Sequence, residues 1–157
     1  MNLKKIKIFV MDVDGTLTDG KIYITDGGEF MKAFHVKDGY GIKKLKDKNI
    51  IPIVITGRQS EIVKRRCLEL GITELYQGIS NKKETMEDIL RKYKLKYENV
   101  LYVGDDENDL ECMQLCEVSA CPADAISAVQ NAVTYKAERK GGEGAIREVI
   151  EWMLCYL

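Results

Sequence analysis

The stretch Lys7-Ile8-Phe9-Val10-Met11-Asp12-Val13-Asp14-Gly15-Thr16 decides how the chain is read. Residues 7–11 are an apolar, β-rich run that stops on acid and glycine, which predicts a buried central strand delivering Asp12 to a loop. Residues 51–55 and 100–103 repeat the pattern, ending in Thr56-Gly57-Arg58 and Gly104-Asp105-Asp106. Helix-like segments lie between, at 40–48, 60–70, 82–93 and 108–116, with Ser60 and Val63 giving the second a usable N-cap. Alternating strand and helix predict an α/β, Rossmann-like fold, with helices flanking a parallel sheet joined by right-handed crossovers. Open sheets of this kind bind ligands beyond the carboxyl ends of their strands, where all three polar clusters fall.

Asp12 and Asp14 stand two residues apart where a strand turns into a loop, so both can face one small space. Two acids so close repel unless a proton or cation joins them, and magnesium suits the task because it takes oxygen ligands and keeps substrate phosphate in its shell. Asp105, Asp106 and Asp109 gather after the third strand and supply further carboxylates at the same edge. Taken alone, either cluster reads as a solvated turn or as a helix N-terminus favouring acids through its dipole. The hydroxyl of Thr56 and the amide of Gly57 can hold a phosphoryl oxygen where charge develops. Lys82 opens a helix and offers a fixed positive charge, with Lys83 an equal candidate on chemistry alone.

Residues 21–25 and 29–36 are strand-like around Asp26-Gly27-Gly28 and predict a β-hairpin inserted after the first strand. Both faces of this ribbon are partly apolar, and a free two-stranded ribbon is marginal in water, so it is expected to pack against another subunit. The tail over 136–157 contains Gly141-Gly142-Glu143-Gly144, expected to be mobile, before a last helix at 145–154.

The 157 residues, 45% of them hydrophobic, suit a single domain spanning 1–157. The 24 basic and 25 acidic residues nearly cancel without forming blocks, which argues against nucleic acid or an anionic membrane as partner. The apolar run after Met1 is too short for a signal peptide or a membrane span, so a cytoplasmic location is expected. Cys67, Cys112, Cys116, Cys121 and Cys155 contain no Cys-x-x-Cys pair and are read as plain thiols rather than as a disulfide framework or zinc site.

Asp12-Val13-Asp14-Gly15-Thr16, then Thr56, then Lys82, then Gly104-Asp105-Asp106-Glu107-Asn108-Asp109 resembles, in order, the four motifs of the haloacid dehalogenase phosphatases. Asp19-Gly20, Lys32-Ala33-Phe34, Lys37-Asp38-Gly39-Tyr40-Gly41, Thr56-Gly57-Arg58, Tyr76-Gln77-Gly78, Asn81-Lys82 and the run from Gly141 to Glu148 narrow the resemblance to the 3-deoxy-D-manno-octulosonate 8-phosphate phosphatase family. The resemblance implies a fold without a separate cap domain and an aspartyl-phosphate formed on Asp12. Asp14 is then the acid and base, magnesium is held by Asp12, Asp105 and the carbonyl of Asp14, and Asp106 and Asp109 are supporting. It further implies that Thr56, Gly57 and Lys82 hold the phosphoryl group, the family's spacing favouring Lys82 over Lys83.

Family members of this branch are usually homotetramers in which a neighbour's hairpin and tail help cover the site. Arg58 is read as a contact for the substrate carboxylate, with Arg147 or Arg139 assisting, and His35 as a packing or intersubunit residue. Glu143 departs from the commoner Gly-Gly-Arg-Gly and resembles enzymes of nine-carbon sugar acids, so a phosphatase for a nonulosonate 9-phosphate is the alternative. Two other classes fit less well. A phospho-switch would carry its acceptor on a later strand than its acid pair. A non-catalytic oligomerisation module is expected to lack catalytic positions that are intact here, and to follow a nucleotidyltransferase, which is not expected before Met1.

Overall fold

The computed structural model describes residues 2–157. Strand β1 (Ile8–Met11) is followed by the hairpin strands β2 (Tyr23–Thr25) and β3 (Gly28–Met31), then by helix α1 (Val36–Leu45). Strand β4 (Ile51–Ile55), helix α2 (Glu61–Leu70), strand β5 (Glu74–Tyr76) and helix α3 (Lys82–Tyr93) come next. Strand β6 (Val100–Val103), helix α4 (Glu107–Leu115), strand β7 (Val118–Cys121), helix α5 (Ser127–Gln130), strand β8 (Tyr135–Lys136) and helix α6 (Ala145–Leu154) complete the chain.

Six strands form one sheet in the order β5-β4-β1-β6-β7-β8, every neighbouring pair parallel. This is the expected α/β architecture. Strand β1 is buried on both faces, and its alternating side chains divide between two cores. Phe9 and Met11 pack with Ile42, Val63, Ile146 and Ile150 from α1, α2 and α6. Ile8 and Val10 pack with Met86, Ile89, Cys112 and Met113 from α3 and α4. The chain runs outward from β1 through β4 and β5, then returns to its other side for β6, so strand order reverses at β1. Such a reversal opens a crevice at the carboxyl ends, where Met11 lies level with Val54 and Val103.

Three expectations need correction. The second hairpin strand ends at Met31 rather than 36, because His35 Nδ1 accepts the Lys37 amide at 3.3 Å and caps α1, which begins at Val36 rather than 40. Strands β5, β7 and β8 and helix α5 were not anticipated: they are two to four residues long, too short for a periodicity to register. The tail over 136–157 is packed rather than loose. Ala145, Ile146, Val149, Ile150 and Met153 are fully buried, and Trp152 stacks on Tyr135 at 4.3 Å. Asp38 Oδ1 accepts the Arg147 amide at 2.7 Å, serving the start of α6 where Gly144 has no side chain to do so.

Gly141 and Gly142 also lie against the loop after β1. A Cβ on Gly141 would overlap the Gly15 carbonyl, and Gly142, at φ 69°, donates its amide to Thr16 O at 3.3 Å. Glycine at these two positions is thus required by the close approach of the backbone. No helix among the described residues is long and apolar enough to cross a membrane. Truncating Ile150 to Ala is expected to lower stability by about 2–5 kcal/mol in urea denaturation, as at a sealed core site. A change below about 0.5 kcal/mol, normal for surface positions, would contradict the docked tail.

Candidate active site

Asp12 is the first residue past β1, and its amide donates to Val103 O at 3.0 Å, extending the β1–β6 pairing by one step. That step sets Asp12 beside the turn containing Asp105. Gly15, at φ 91°, turns the chain so tightly that a Cβ there would run into the Asp105 carboxylate. Thr16 Oγ1 donates to Asp105 Oδ1 at 2.9 Å and ties the two loops together. Carboxylate oxygens of Asp12, Asp105 and Asp109 all lie within 4.8 Å of one another.

Lys82, the first residue of α3, reaches into this cluster and is almost completely buried. Its Nζ lies 2.7 Å from Asp12 Oδ1 and 2.8 Å from Asp109 Oδ1. Asn81 caps α3 by accepting the Glu84 amide at 3.1 Å, which fixes the direction in which Lys82 leaves the helix. Lys83 points elsewhere and pairs with Glu111 at 2.7 Å. Of the two adjacent lysines, Lys82 alone is brought to the carboxylate cluster.

Both oxygens of Asp109 accept hydrogen bonds. Oδ1 accepts from Lys82 and from the Tyr102 hydroxyl at 2.8 Å, and Oδ2 accepts the Asp105 amide at 3.3 Å. Gly104 makes this possible, since a Cβ there would occupy the space of the Asp109 carboxylate. Asp12, Asp105 and Asp109 present carboxylate oxygens close enough to share a cation, Asp109 being the most heavily hydrogen-bonded of the three. Burial pushes the Asp12 pKa up to about 6, the charge of Asp109 adding to the rise and Lys82 opposing it. Burial and the charge of Asp12 push Asp105 up to about 7, against the hydrogen bond from Thr16. Burial pulls the Lys82 pKa down, but Asp12 and Asp109 more than offset it and hold the ammonium charged. An all-oxygen donor set with more negative charge than one lysine neutralises fits a hard divalent cation.

Thr56 is buried at the end of β4, its backbone locked by Thr56 N to Tyr76 O at 2.9 Å and Ile79 N to Thr56 O at 3.1 Å. Gly57 and Arg58 are exposed beside it, and Arg58 Nε lies 4.0 Å from Asp14 Oδ2. Two expected residues are not brought to the cluster. Asp106 is exposed and caps α4 through the Glu107 amide at 2.7 Å, the ordinary work of an acid at a helix start. Arg147 pairs with Glu151 at 2.6 Å and lies over the Tyr40 ring, with no partner at the strand-end edge. Arg139 donates its amide to Glu148 Oε2 at 3.1 Å on the same side as α6.

Sequence reasoning gave no role to Thr16, Tyr102, Glu29 or Lys32, all of which the structure draws into the site or its support. Lys32 follows β3, is buried, and its Nζ contacts Asp14 Oδ1 and lies 3.0 Å from Glu29 Oε1. The available signal was its place in Lys32-Ala33-Phe34, one of the segments carrying the family resemblance. All five cysteines are free thiols, and only Cys155 is exposed.

The haloacid dehalogenase-like hydrolase family matches residues 40–115. The 3-deoxy-D-manno-octulosonate 8-phosphate phosphatase KdsC of Escherichia coli K12 is 44% identical over 151 residues, which cover 96% of this chain and 80% of that protein. The chain belongs to the octulosonate 8-phosphate phosphatase family. Two solved structures of octulosonate 8-phosphate phosphatases superpose on it closely. A cobalt-bound form from Haemophilus influenzae has a TM-score of 0.95 and 39% identity, covering 99% of this chain and 91% of that one. The Moraxella catarrhalis enzyme, in complex with magnesium ion, phosphate ion and KDO, has a TM-score of 0.94 and 37% identity, covering 98% of this chain and 88% of that one.

The raised acids set a test of cation binding. Without a cation, folded Asp12 and Asp105 retain protons that the unfolded chain releases near its ordinary pKa of 3.8. Stability contributed by these groups therefore falls as pH rises from about 4 to about 7, and stays low above that. Magnesium competes with those protons, so adding it to metal-free protein is expected to raise the melting temperature more at about pH 8 than at about pH 5. Equal shifts at the two pH values would contradict a site built on these carboxylates.

Proposed function

We propose that the chain is a magnesium-dependent phosphatase hydrolysing 3-deoxy-D-manno-octulosonate 8-phosphate to the free sugar acid and phosphate. The observation that carries this reading is the buried carboxylate of Asp12 at the end of the central strand, 2.7 Å from Lys82 Nζ and clustered with Asp105. Membership of the octulosonate 8-phosphate phosphatase family supports the substrate.

In this reading an Asp12 oxygen attacks phosphorus, the bond from phosphorus to the sugar oxygen breaks, and Asp14 donates a proton to the departing oxygen. Asp14 then takes a proton from water, which attacks the acyl phosphate and releases phosphate and free Asp12. Covalent catalysis divides one difficult displacement into two easier ones, and positioned proton transfer contributes typically about 10²–10⁴-fold. Lys82, the Thr56 hydroxyl and the Gly57 amide hold phosphoryl oxygens, placing donors where charge develops. Asp12, Asp105 and the Asp14 carbonyl would hold magnesium, which supplies positive charge against the phosphoryl oxygens when bound. Asp109 supports by fixing Lys82 through Oδ1.

Arg58 stands half exposed beside Asp14, where a guanidinium can engage the sugar carboxylate. The outward side of the hairpin, with Ile24 and Phe30 each 69% exposed, supports assembly into a homotetramer whose subunits cover one another's sites. Coverage matters because the phosphoenzyme must meet water only in the productive geometry.

Phosphate release with magnesium is expected to be fastest on octulosonate 8-phosphate in a panel containing nonulosonate 9-phosphates and simple sugar phosphates, and absent in Asp12→Asn. Full turnover by that variant would sink the mechanism, and preference for the nine-carbon substrate would transfer the activity to the alternative sugar. Light scattering after size-exclusion chromatography is expected to give four times the chain mass, and Phe30→Asp to shift it downward; a monomeric parent protein contradicts the assembly.

A further inference from the structure

The hairpin ends in a buried charge network that the proposed chemistry does not use. Lys32 has a side chain only 1% exposed, contacts Asp14 Oδ1 through Nζ, and lies 3.0 Å from Glu29 Oε1. Glu29 Oε2 accepts from the Ser60 hydroxyl, and Ser60 Oγ in turn accepts the Val63 amide at 3.3 Å as the cap of α2. Asp14 thus connects through Lys32 and Glu29 to a rigid helix start. Asp14 Oδ2 faces the exposed side, with Arg58 Nε at 4.0 Å.

We infer that Lys32 is a positioning residue for Asp14, and that the hairpin acts on the chemistry of its own chain as well as presenting its outer face. The inference rests on Asp14 being the acid and base. Lys32 has no surface to offer a substrate, so any effect on turnover passes through Asp14. A two-residue hairpin contact of this kind does what a carboxylate on the loop after β1 cannot do unaided. It holds Oδ1 in a fixed hydrogen bond donated by Lys32 Nζ, an ion pair only while Asp14 is ionised, and leaves Oδ2 free to give and take the proton. Glu29 prevents Lys32 from swinging away, and Ser60 prevents the same of Glu29. Groups that support a reacting side chain in this way change rate through geometry, where displacements of about 1 Å are costly.

The distinguishing property is dependence on the leaving group. A sugar alkoxide needs its proton as it departs, whereas p-nitrophenolate does not. In Lys32→Met, kcat on octulosonate 8-phosphate is expected to fall by about 10–100-fold with KM changed less than about threefold, because proton transfer rather than binding is impaired. First-turnover release of nitrophenolate from p-nitrophenyl phosphate is expected to change less than about threefold, with Lys32→Arg recovering part of the loss on the sugar. Equal losses on both substrates, an effect confined to KM, or an unchanged kcat would overturn the inference.

The double variant Glu29→Gln/Lys32→Met leaves no isolated buried charge and is expected to fold and retain the leaving-group pattern. Failure of both variants to fold would make Lys32 structural and also overturn it. Wild-type protein and Asp12→Asn run alongside separate this outcome from the parent reading, which fails only if the wild type releases no phosphate or Asp12→Asn keeps turning over.

Discussion

One constraint governs the molecule: Asp12, Asp105 and Asp109 are crowded at one edge of a sheet with a single buried ammonium, Lys82, between two of them. Isolated charges do not survive burial, and like charges raise one another's pKa, so the arrangement holds only where hydrogen bonds and a cation share the load. Most of the polar geometry around the crevice answers to this. Tyr102 and the Asp105 amide satisfy Asp109, Thr16 satisfies Asp105, and Gly15 and Gly104 leave the room that the carboxylates occupy. Raised acids clustered beside a fixed cation in a crevice are the kind of perturbed groups that mark a functional site.

Around that crevice the fold supplies supports from distant parts of the sequence. Asn81 aims Lys82, the Gly141-Gly142 pair braces the loop after β1, and Asp38 anchors the start of α6. The hairpin contributes in two directions. Its inner end brings Lys32 and Glu29 to Asp14 and Ser60, while Ile24 and Phe30 face outward. Under the proposed function, buried strand ends would meet the substrate's phosphate, and the exposed Arg58 with the hairpin rim its sugar acid.

Buried periodic segments were legible because their pattern is local. The strands at 51–55 and 100–103 are where continuous apolar runs place them, and the helices at 82–93 and 145–154 lie where helix-like segments are read. Short edge strands carried too few residues for any period, and the start of α1 was hidden because its cap is a histidine, whose capping role has no strong sequence preference. The glycines near 141 illustrate a different limit. Glycine marks both freedom and close approach, and only the position of the Gly15 carbonyl tells which applies.

By itself the sequence determined that acids, a threonine and a lysine follow buried strands or open a helix, and therefore that they meet at one edge of a parallel sheet. Tertiary structure alone decided which members of each group share the space. Lys82 enters the cluster while Lys83 turns to Glu111, Asp109 is held by Lys82 and Tyr102, Asp106 caps a helix, and Arg147 stays with Glu151. The physical reason is that secondary structure sets where a residue leaves the backbone, whereas the direction of its side chain depends on partners brought close by packing. Lys32 is the clearest instance: nothing local to the hairpin says that its ammonium ends against Asp14, yet the return of the chain over β1 leaves it there.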